Sequence, residues 1–351
     1  MAVKTKGYAQ KRWSLADLYP ATDGPKMKKD FKELDKKVGE FEKMRPLLTA
    51  SISQADFLSV IKALEEIYEL ASQLGSYAEL LFTENTQAQA AQTLVARTSQ
   101  LMSEIENRTL FFGLWWKEQF DKTAEKLMKG SGDYRYWLEE MRHFKPHTLS
   151  EPEEKIINTK NVTGNNALVT LYNSITNRYT FTIEVDGKTV ELTRGELMMY
   201  AREADPDLRA AVYKELYRVY GQDGPILGQM YQTLVRDWRN ENVSMRKFAS
   251  PISARNLGND LPDAVIETLL KVAAKNTDVF QRFFKLKARL LGMKKLRRYD
   301  IYAPIAKSDK KFEYGKAAEK VMQSFREFDP RFESLARSEE HTSELQSPNT
   351  I

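Results

Sequence analysis

Histidine is the side chain in this sequence best suited to metal or acid–base chemistry, and only His143, His147 and His341 occur. Helical zinc hydrolases bind the metal through a His-Glu-x-x-His motif whose glutamate acts as general base. His143 and His147 have the four-residue spacing of one helix face, but Pro146 lies between them and disfavours a continuous helix. We therefore interpret His143 as the last turn of a helix, where positive charge is favourable. A metal-binding pair is the alternative.

Other catalytic and phosphate-binding patterns are missing from the sequence. It contains no cysteine, no Gly-x-Ser-x-Gly elbow and no His-Glu-x-x-His motif. The stretch from Gly221 to Gly224 lacks the lysine and the spacing of a P-loop, so we interpret it as a turn between helices. We predict no catalytic, cofactor-binding or metal-ligating residue in this chain.

A dense basic run from Lys285 to Arg298 could contact phosphate groups. Leu286, Leu290, Leu291 and Met293 are spaced along this run so as to form an apolar side. This pattern favours an ordinary packed helix, and nucleic-acid binding is the alternative.

The first half of the sequence is dominated by helical periodicity. Apolar residues recur every three or four positions from Lys26 to Met44 and from Ser53 to Phe82, and the hydroxyl of Ser53 can cap the second helix. A third helix comes after a short link, which predicts an antiparallel pair. The aromatic run 111–116 is interpreted as a place where several helices meet. The residues predicted to face inward are Met27, Phe31, Leu34, Val38, Phe41, Phe57, Val60, Ile61, Leu64, Tyr68, Ala71, Leu74, Ala90, Leu94, Leu101, Ile105 and Leu110.

The apolar period changes from helical spacing to two between Thr180 and Leu192, with Asp186-Gly187 as a two-residue turn. This predicts one β-hairpin in a chain that is otherwise all-α. We predict a loop between Asn242 and Asp260. Further helices are predicted to start at the capping box of Thr193 and Glu196, at Asp205-Pro206, at Pro225 and at Pro262.

Composition restricts the compartment and the class of partner. With 351 residues and 42% hydrophobic content the chain can bury a core, and the absence of cysteine favours a reducing compartment. No segment looks like a signal peptide or a membrane span, so we expect a soluble, cytoplasmic protein without membrane contact. The net charge of +5 comes from 54 basic and 49 acidic residues, a balance that argues against nucleic acid as the main partner.

Five segments carry a resemblance, in the same order along the chain. They are Trp13-Ser14-Leu15-Ala16-Asp17-Leu18-Tyr19-Pro20, then Lys145-Pro146-His147-Thr148-Leu149-Ser150-Glu151 with Glu153-Glu154, the hairpin with Leu192-Thr193, Arg246-Lys247-Phe248, and Leu286-Lys287-Ala288-Arg289-Leu290-Leu291-Gly292 leading into Tyr299-Asp300-Ile301-Tyr302-Ala303-Pro304. Together they resemble the oligoendopeptidase F branch of the thimet oligopeptidase and neurolysin zinc metallopeptidases. The resemblance covers residues 13 to about 336.

The resemblance implies the N-terminal lobe of a helical ellipsoid that is split by a deep channel. In the family, zinc at the base of the channel is held by the two histidines of His-Glu-x-x-His and a later glutamate, and the substrates are short unfolded peptides. Those residues lie beyond the segment 299–304, so none can be transferred to this chain. We expect zinc in the full-length parent, none in this fragment, and no activity from residues 1–351 alone.

The division of the chain is implied by the same resemblance. We expect an N-terminal helical domain over 1–193 with the hairpin, and the start of a catalytic domain over 194–336 that stops before the zinc motif. Residues 337–351 lose the apolar periodicity and resemble a translated sequencing adapter, so His341 would carry no meaning. Missing polypeptide would leave apolar faces uncovered at Val321, Phe325 and Phe328. The alternative is a non-catalytic helical interaction protein that binds an acidic partner along the Lys285 to Arg298 face.

Overall fold

The structure, a computed structural model, describes residues 14–306 and 312–337. Trp13, the first residue of the predicted anchor, and His341 lie outside the described residues. So does the adapter-like segment, of which only the backbone of Arg337 is described. Over the described ranges the chain is mainly α-helical, with one two-stranded antiparallel sheet, as predicted.

Seven helices build the first part of the chain. They are α1 (Pro25–Glu42), α2 (Gln54–Glu84), α3 (Gln89–Glu118), α4 (Asp121–Lys129), α5 (Arg135–His143), α6 (Glu151–Thr163) and α7 (Asn165–Thr176). The hydroxyl of Ser53 accepts a hydrogen bond from the backbone N–H of Asp56 and so caps α2, as the sequence predicts. Helices α2 and α3 pack against each other and against α1, and the three share one core.

The aromatic run at the end of α3 lies in this core. Trp116 is completely buried and its indole N–H donates to the backbone carbonyl of Leu138, 2.8 Å away. The ring of Phe57 lies 5.2 Å from that of Trp116, and Phe41 lies 5.0 Å from Phe111. The interpretation of 111–116 as a junction of helices is confirmed, because α1, α2 and α5 all contribute to this cluster beside α3.

Two of the predicted inward positions are wrong. Tyr68 is 47% exposed, because it lies on the α2 face that forms an open groove with Tyr134 and Trp137. Ala90 is exposed and Ala91 takes the buried position one turn before Leu94. Spacings of three and four residues both keep a side chain on one helix face, so periodicity alone could not distinguish these neighbours.

The predicted hairpin consists of β1 (Phe181–Val185) and β2 (Lys188–Leu192), which pair antiparallel with Phe181 opposite Leu192. Its turn residues Asp186 and Gly187 have φ values of 50° and 73°, as a type I′ turn requires. Phe181 and Ile183 are buried in a second core that Leu197 and residues of the next two helices complete. The hairpin thus packs onto the helices that come after it, and the boundary near residue 194 stays a prediction.

Eight helices come after the hairpin within the described residues. They are α8 (Arg194–Tyr200), α9 (Pro206–Gln222), α10 (Gly224–Arg239), α11 (Pro251–Gly258), α12 (Asp263–Lys275), α13 (Thr277–Leu290), α14 (Tyr314–Phe328) and α15 (Pro330–Arg337). The capping box of Thr193 and Glu196 and the cap at Asp205 are confirmed, and Gly221 to Gly224 connects α9 to α10. Of the described helices, none combines the length and apolarity needed to cross a lipid bilayer.

The loop predicted between Asn242 and Asp260 is shorter than expected, because only residues 246–250 separate two helical segments. The chain continues from α10 into a π-helical turn, Asn240–Met245, and then forms α11. Pro251 occupies the first turn of α11, and the hydroxyl of Ser250 accepts a hydrogen bond from the backbone N–H of Ser253. The proline that interrupts the apolar pattern therefore begins a helix instead of marking a loop.

The predicted apolar side of the basic run is also wrong. Leu286 and Leu290 are 44% and 56% exposed, whereas Lys287 and Ala288 are buried. The ammonium group of Lys287 donates to the carbonyl of Ile301 at 2.5 Å, so this face of α13 packs against the segment that comes after it. A long aliphatic stem lets lysine pack in this way while its charged end reaches an acceptor.

The hairpin turn gives a test of this fold. Replacing Gly187 by alanine should lower the free energy of unfolding by about 1 kcal/mol, because a Cβ disfavours positive φ. Gly195, in the first turn of α8 with no atom within 4 Å of an added Cβ, is the matched control, and Gly195→Ala should cause no loss. Urea unfolding followed by circular dichroism measures both; equal stability of the two variants would contradict the turn assignment.

Candidate functional site

The two described histidines contact different partners. His143 ends α5, as predicted, and its Nδ1 lies 3.7 Å from a carboxylate oxygen of Asp260. His147 lies in a 3-10 turn, with its Nδ1 2.8 Å from the carbonyl oxygen of Arg246 and its ring stacked on Phe248 at 3.6 Å. A ring nitrogen facing a carbonyl carries a proton, so this nitrogen does not suit a metal. Within 14–306 and 312–337, no three or more acidic or histidine side chains are grouped to hold a metal ion.

Arg246 forms a part-buried cluster with Glu154 and Glu241, which we name the Arg246 cluster. Its two terminal nitrogens each donate to one oxygen of Glu154 at 2.8 Å, and its Nε donates to Glu241 at 2.8 Å. Glu154 also accepts a hydrogen bond from the backbone N–H of Leu149. The cluster and the stacked His147 bring together the segments 145–154 and 246–248, two of the five that carry the family resemblance.

The electrostatics of the Arg246 cluster favour its charged state. Burial disfavours ionised Glu154, but the hydrogen bonds from Arg246 and Leu149 outweigh that cost and lower the pKa of the carboxyl group. Burial opposes the charge of Arg246 as well, and its bonds to Glu154 and Glu241 nevertheless raise its pKa. Near neutral pH no proton of this pair is available for catalysis, so the cluster holds two segments in place.

A second buried ion pair, the Asp300 cluster, joins α9 to the segment 299–304. Asp300 is completely buried and accepts hydrogen bonds from Arg209 at 2.8 Å and from Arg297 at 2.7 Å. Arg209 is itself buried and donates to the carbonyls of Glu203 and Ala204. Burial would raise the pKa of Asp300, but the bonds from the two arginines lower it to about 2. The last of the five resembling segments is therefore fixed to α9 by charge pairing.

Three helices in the second part leave their apolar faces uncovered. Helices α10, α12 and α14 contain no buried residue among those described. The prediction that Val321, Phe325 and Phe328 lie uncovered is confirmed, with Phe328 78% exposed. The other large apolar side chains exposed on these helices are Ile226, Tyr231, Val235, Trp238, Val265, Leu269, Leu270, Val272 and Tyr314. Exposed apolar faces of this extent are typical of a surface that another polypeptide covers.

Comparison with known proteins supports the family resemblance of the sequence. The family model described as Oligopeptidase F, for the N-terminal part of peptidase M3, matches residues 116–181. Group B oligopeptidase PepB of Streptococcus agalactiae is 25% identical over 267 residues, which are 75% of this chain and 43% of that protein. Oligopeptidase PepF of Bacillus subtilis is 23% identical over 311 residues, 85% of this chain and 45% of that protein. These matches support the resemblance to the oligoendopeptidase F family.

A solved structure of an oligoendopeptidase F supports the fold. The crystal structure of oligoendopeptidase-F from Enterococcus faecium aligns with a TM-score of 0.72 at 23% identity, over 89% of this chain and 63% of that one. The chain spans less than half the length of the two curated relatives above. The described helices therefore correspond to one part of a larger helical fold.

The partners within both ion-pair clusters escaped the sequence analysis. Glu154, Arg246 and Asp300 lie in the segments that carry the resemblance, but nothing in the sequence indicated which charges would pair. Arg209, which was not singled out, lies 91 residues from its partner Asp300. A charged residue within an otherwise apolar helix face is the one available signal, and Arg209, with Val212 and Tyr213 three and four residues later, fits it.

The Arg246 cluster should be important for stability. Replacing Glu154 by alanine should lower the free energy of unfolding by about 3 kcal/mol, because it leaves a part-buried guanidinium with one carboxylate fewer. The matched control is Glu267→Ala, which breaks an exposed helical pair with Lys271 and should change stability by about 0.5 kcal/mol or less. Urea unfolding measures both; similar losses would show that Arg246 does not depend on Glu154.

The Asp300 cluster should make stability depend on pH in a defined window. A carboxyl pKa of about 2 in the folded chain lies below the unfolded value, so its stabilisation is complete above the unfolded pKa and is lost as pH falls through the folded pKa. The stability difference between the wild type and Asp300→Asn should therefore shrink by about 2 kcal/mol between about pH 4 and 2. Urea unfolding at several pH values measures this difference, and a constant difference would contradict the assignment.

Proposed function

We propose that this chain is the N-terminal helical part of a zinc-dependent endopeptidase that cleaves short unfolded peptides, and that residues 1–351 alone do not cleave them. The relatives that support this are an oligopeptidase of Streptococcus agalactiae and one of Bacillus subtilis. The described residues include no group of three or more histidine and acidic side chains that could hold a metal ion, and the sequence contains no His-Glu-x-x-His motif. The chemistry of peptide hydrolysis is therefore assigned to further polypeptide of the parent protein.

The uncovered faces of α10, α12 and α14 are the observation that carries this proposal. An amphipathic helix gains most of its stability from burying its apolar face, and these three contain no buried residue among those described. We propose that the catalytic part of the parent packs against them and that this chain forms one wall of the peptide channel. The ion-pair clusters would then hold the wall segments in position.

The domain division is part of this proposal. Residues 1–193 form an N-terminal oligopeptidase domain, and 194–336 begin the catalytic domain. Short peptides are the substrates, with neither nucleic acid nor a membrane as partner, and the cytoplasm is the compartment. The absence of cysteine agrees with a reducing environment.

The test compares two lengths of the same protein. Residues 1–351 and the longer chain read from the source gene past the codon of Ala336 are assayed with a short internally quenched peptide and added zinc. We expect no cleavage by residues 1–351, and cleavage by the longer chain that a zinc chelator abolishes and added zinc restores.

Two controls separate the possible failures. Replacing the motif glutamate of the longer chain by glutamine should remove activity without affecting zinc content or unfolding. Chelator-sensitive cleavage by residues 1–351 would refute the inactivity, and a longer reading frame without His-Glu-x-x-His would refute the zinc assignment.

A further inference from the structure

A groove on the second part of the chain carries an unusual concentration of positive charge. It encloses about 840 Å³ between one face of α13 and the turn after that helix. The basic groove, as we name it, is lined by Arg282, Phe284, Lys285, Ala288, Arg289, Met293, Lys294, Lys295 and Leu296.

The local sequence builds this groove. Gly292 ends α13 with φ of 68°, a conformation that favours glycine, and the backbone N–H of Met293 donates to the carbonyl of Ala288 at 2.9 Å. This C-terminal cap turns residues 293–296 back beside the helix. The segment after the turn is held in place by two side-chain hydrogen bonds. Lys287 donates to the carbonyl of Ile301, and Arg297 donates to Asp300.

None of the five cations of the groove is neutralised within the described part of the chain. No side-chain hydrogen bond or ion pair to a described residue is made by any of the five, which are Arg282, Lys285, Arg289, Lys294 and Lys295. The stretch 282–298 contains no acidic residue, and no acidic side chain is among the described residues that line the groove. Elsewhere the structure pairs such groups, as in the bidentate bond of Arg108 to Glu42. Five like charges around one concavity repel one another, and an anionic ligand would relieve that repulsion.

The floor of the groove restricts the class of anion. Phe284, Ala288, Met293 and Leu296 form an apolar surface between the cations. A single-stranded nucleic acid is usually held by several aromatic rings that stack on its bases, and Phe284 is the one aromatic residue among the described lining residues. A membrane surface calls for a convex basic face, whereas these cations surround a concavity. A ligand in which carboxylates alternate with apolar side chains can pair with the cations and also pack against the apolar floor.

We infer that the basic groove is a docking site for an acidic peptide segment with interleaved apolar residues. The inference does not rest on the proposed function. The carboxylates of the bound peptide contact the cations at the rim of the groove, and the apolar side chains of the peptide contact the floor near Met293.

Fluorescence anisotropy with labelled peptides tests this inference on residues 1–351. The probe is a peptide of glutamate and leucine; a peptide of lysine and leucine and a peptide of glutamate and glycine are its controls. We expect the glutamate–leucine peptide to bind tighter than either control by about tenfold or more. Binding should weaken as the ionic strength rises from about 0.05 to 0.5 M.

Two charge-reversal variants locate the site. Lys285→Glu with Arg289→Glu should weaken binding of the glutamate–leucine peptide by about tenfold or more. The matched control is Lys122→Glu with Lys126→Glu, which has the same spacing on exposed residues of α4 and the same change of net charge, and should weaken it by less than about twofold. If circular dichroism shows that the changes in α13 reduce folding, the double variant Lys294→Glu with Lys295→Glu is used instead. It reverses the charges on the opposite wall of the groove.

The contrary outcomes are distinct. Equal losses in the groove and α4 variants would show attraction by net charge and overturn the site. An unlabelled single-stranded oligonucleotide is compared with the unlabelled peptide as a competitor. If the oligonucleotide displaces the labelled peptide at a lower concentration, the ligand of the groove is a nucleic acid and the peptide proposal is overturned. Equal affinity for the glutamate–glycine and glutamate–leucine peptides would remove the role of the apolar floor and with it the proposed class of ligand.

Discussion

The guanidinium of Arg246 connects two parts of the chain that lie 92 residues apart. Three carboxylate oxygens surround it, two from Glu154 on α6 and one from Glu241 in the π-helical turn. Because both sides are desolvated, the pair is stable only when both partners are present, and removing one leaves an uncompensated charge. The position of α10 relative to α6 therefore depends on this one arrangement of charges, and the surface formed by the later helices depends on it in turn.

Features of the fold that arise from neighbouring residues could be predicted from the sequence. The Asp186-Gly187 turn and the capping box at Thr193 are set by dihedral preference and by bonds three residues apart. Features set by distant contacts could not be predicted. Ser250-Pro251 interrupts the apolar pattern, which suggested a loop, although Ser250 caps a short helix there. Lys287 looked like solvent-exposed charge, yet it is buried because Ile301 supplies an acceptor for its ammonium group.

The functional conclusion came from the family resemblance of five sequence segments and not from local structural preferences. Both ion-pair clusters include residues from segments quoted for the family resemblance. The Arg246 cluster joins the second part of the chain to the first. The Asp300 cluster joins two segments within the second part. Which charges pair could not be predicted, because Glu154 and Asp300 find partners that are remote in sequence. Helices α12 and α14 have apolar periodicity, but neither contains a buried residue among those described, so their apolar faces are uncovered. The basic groove differs, because its cations converge only through the turn at Gly292.

Amide hydrogen exchange on residues 1–351 tests most directly the claim that the second part of the chain awaits further polypeptide. Isolated helices of the length of α12 and α14 are marginal in water, so amides there should exchange by local opening. We expect α2 and α3 to exchange most slowly and α10, α12 and α14 to exchange much faster. Equal protection of α3, α12 and α14 in a monomer would contradict the account, because these faces would then be stable without a partner.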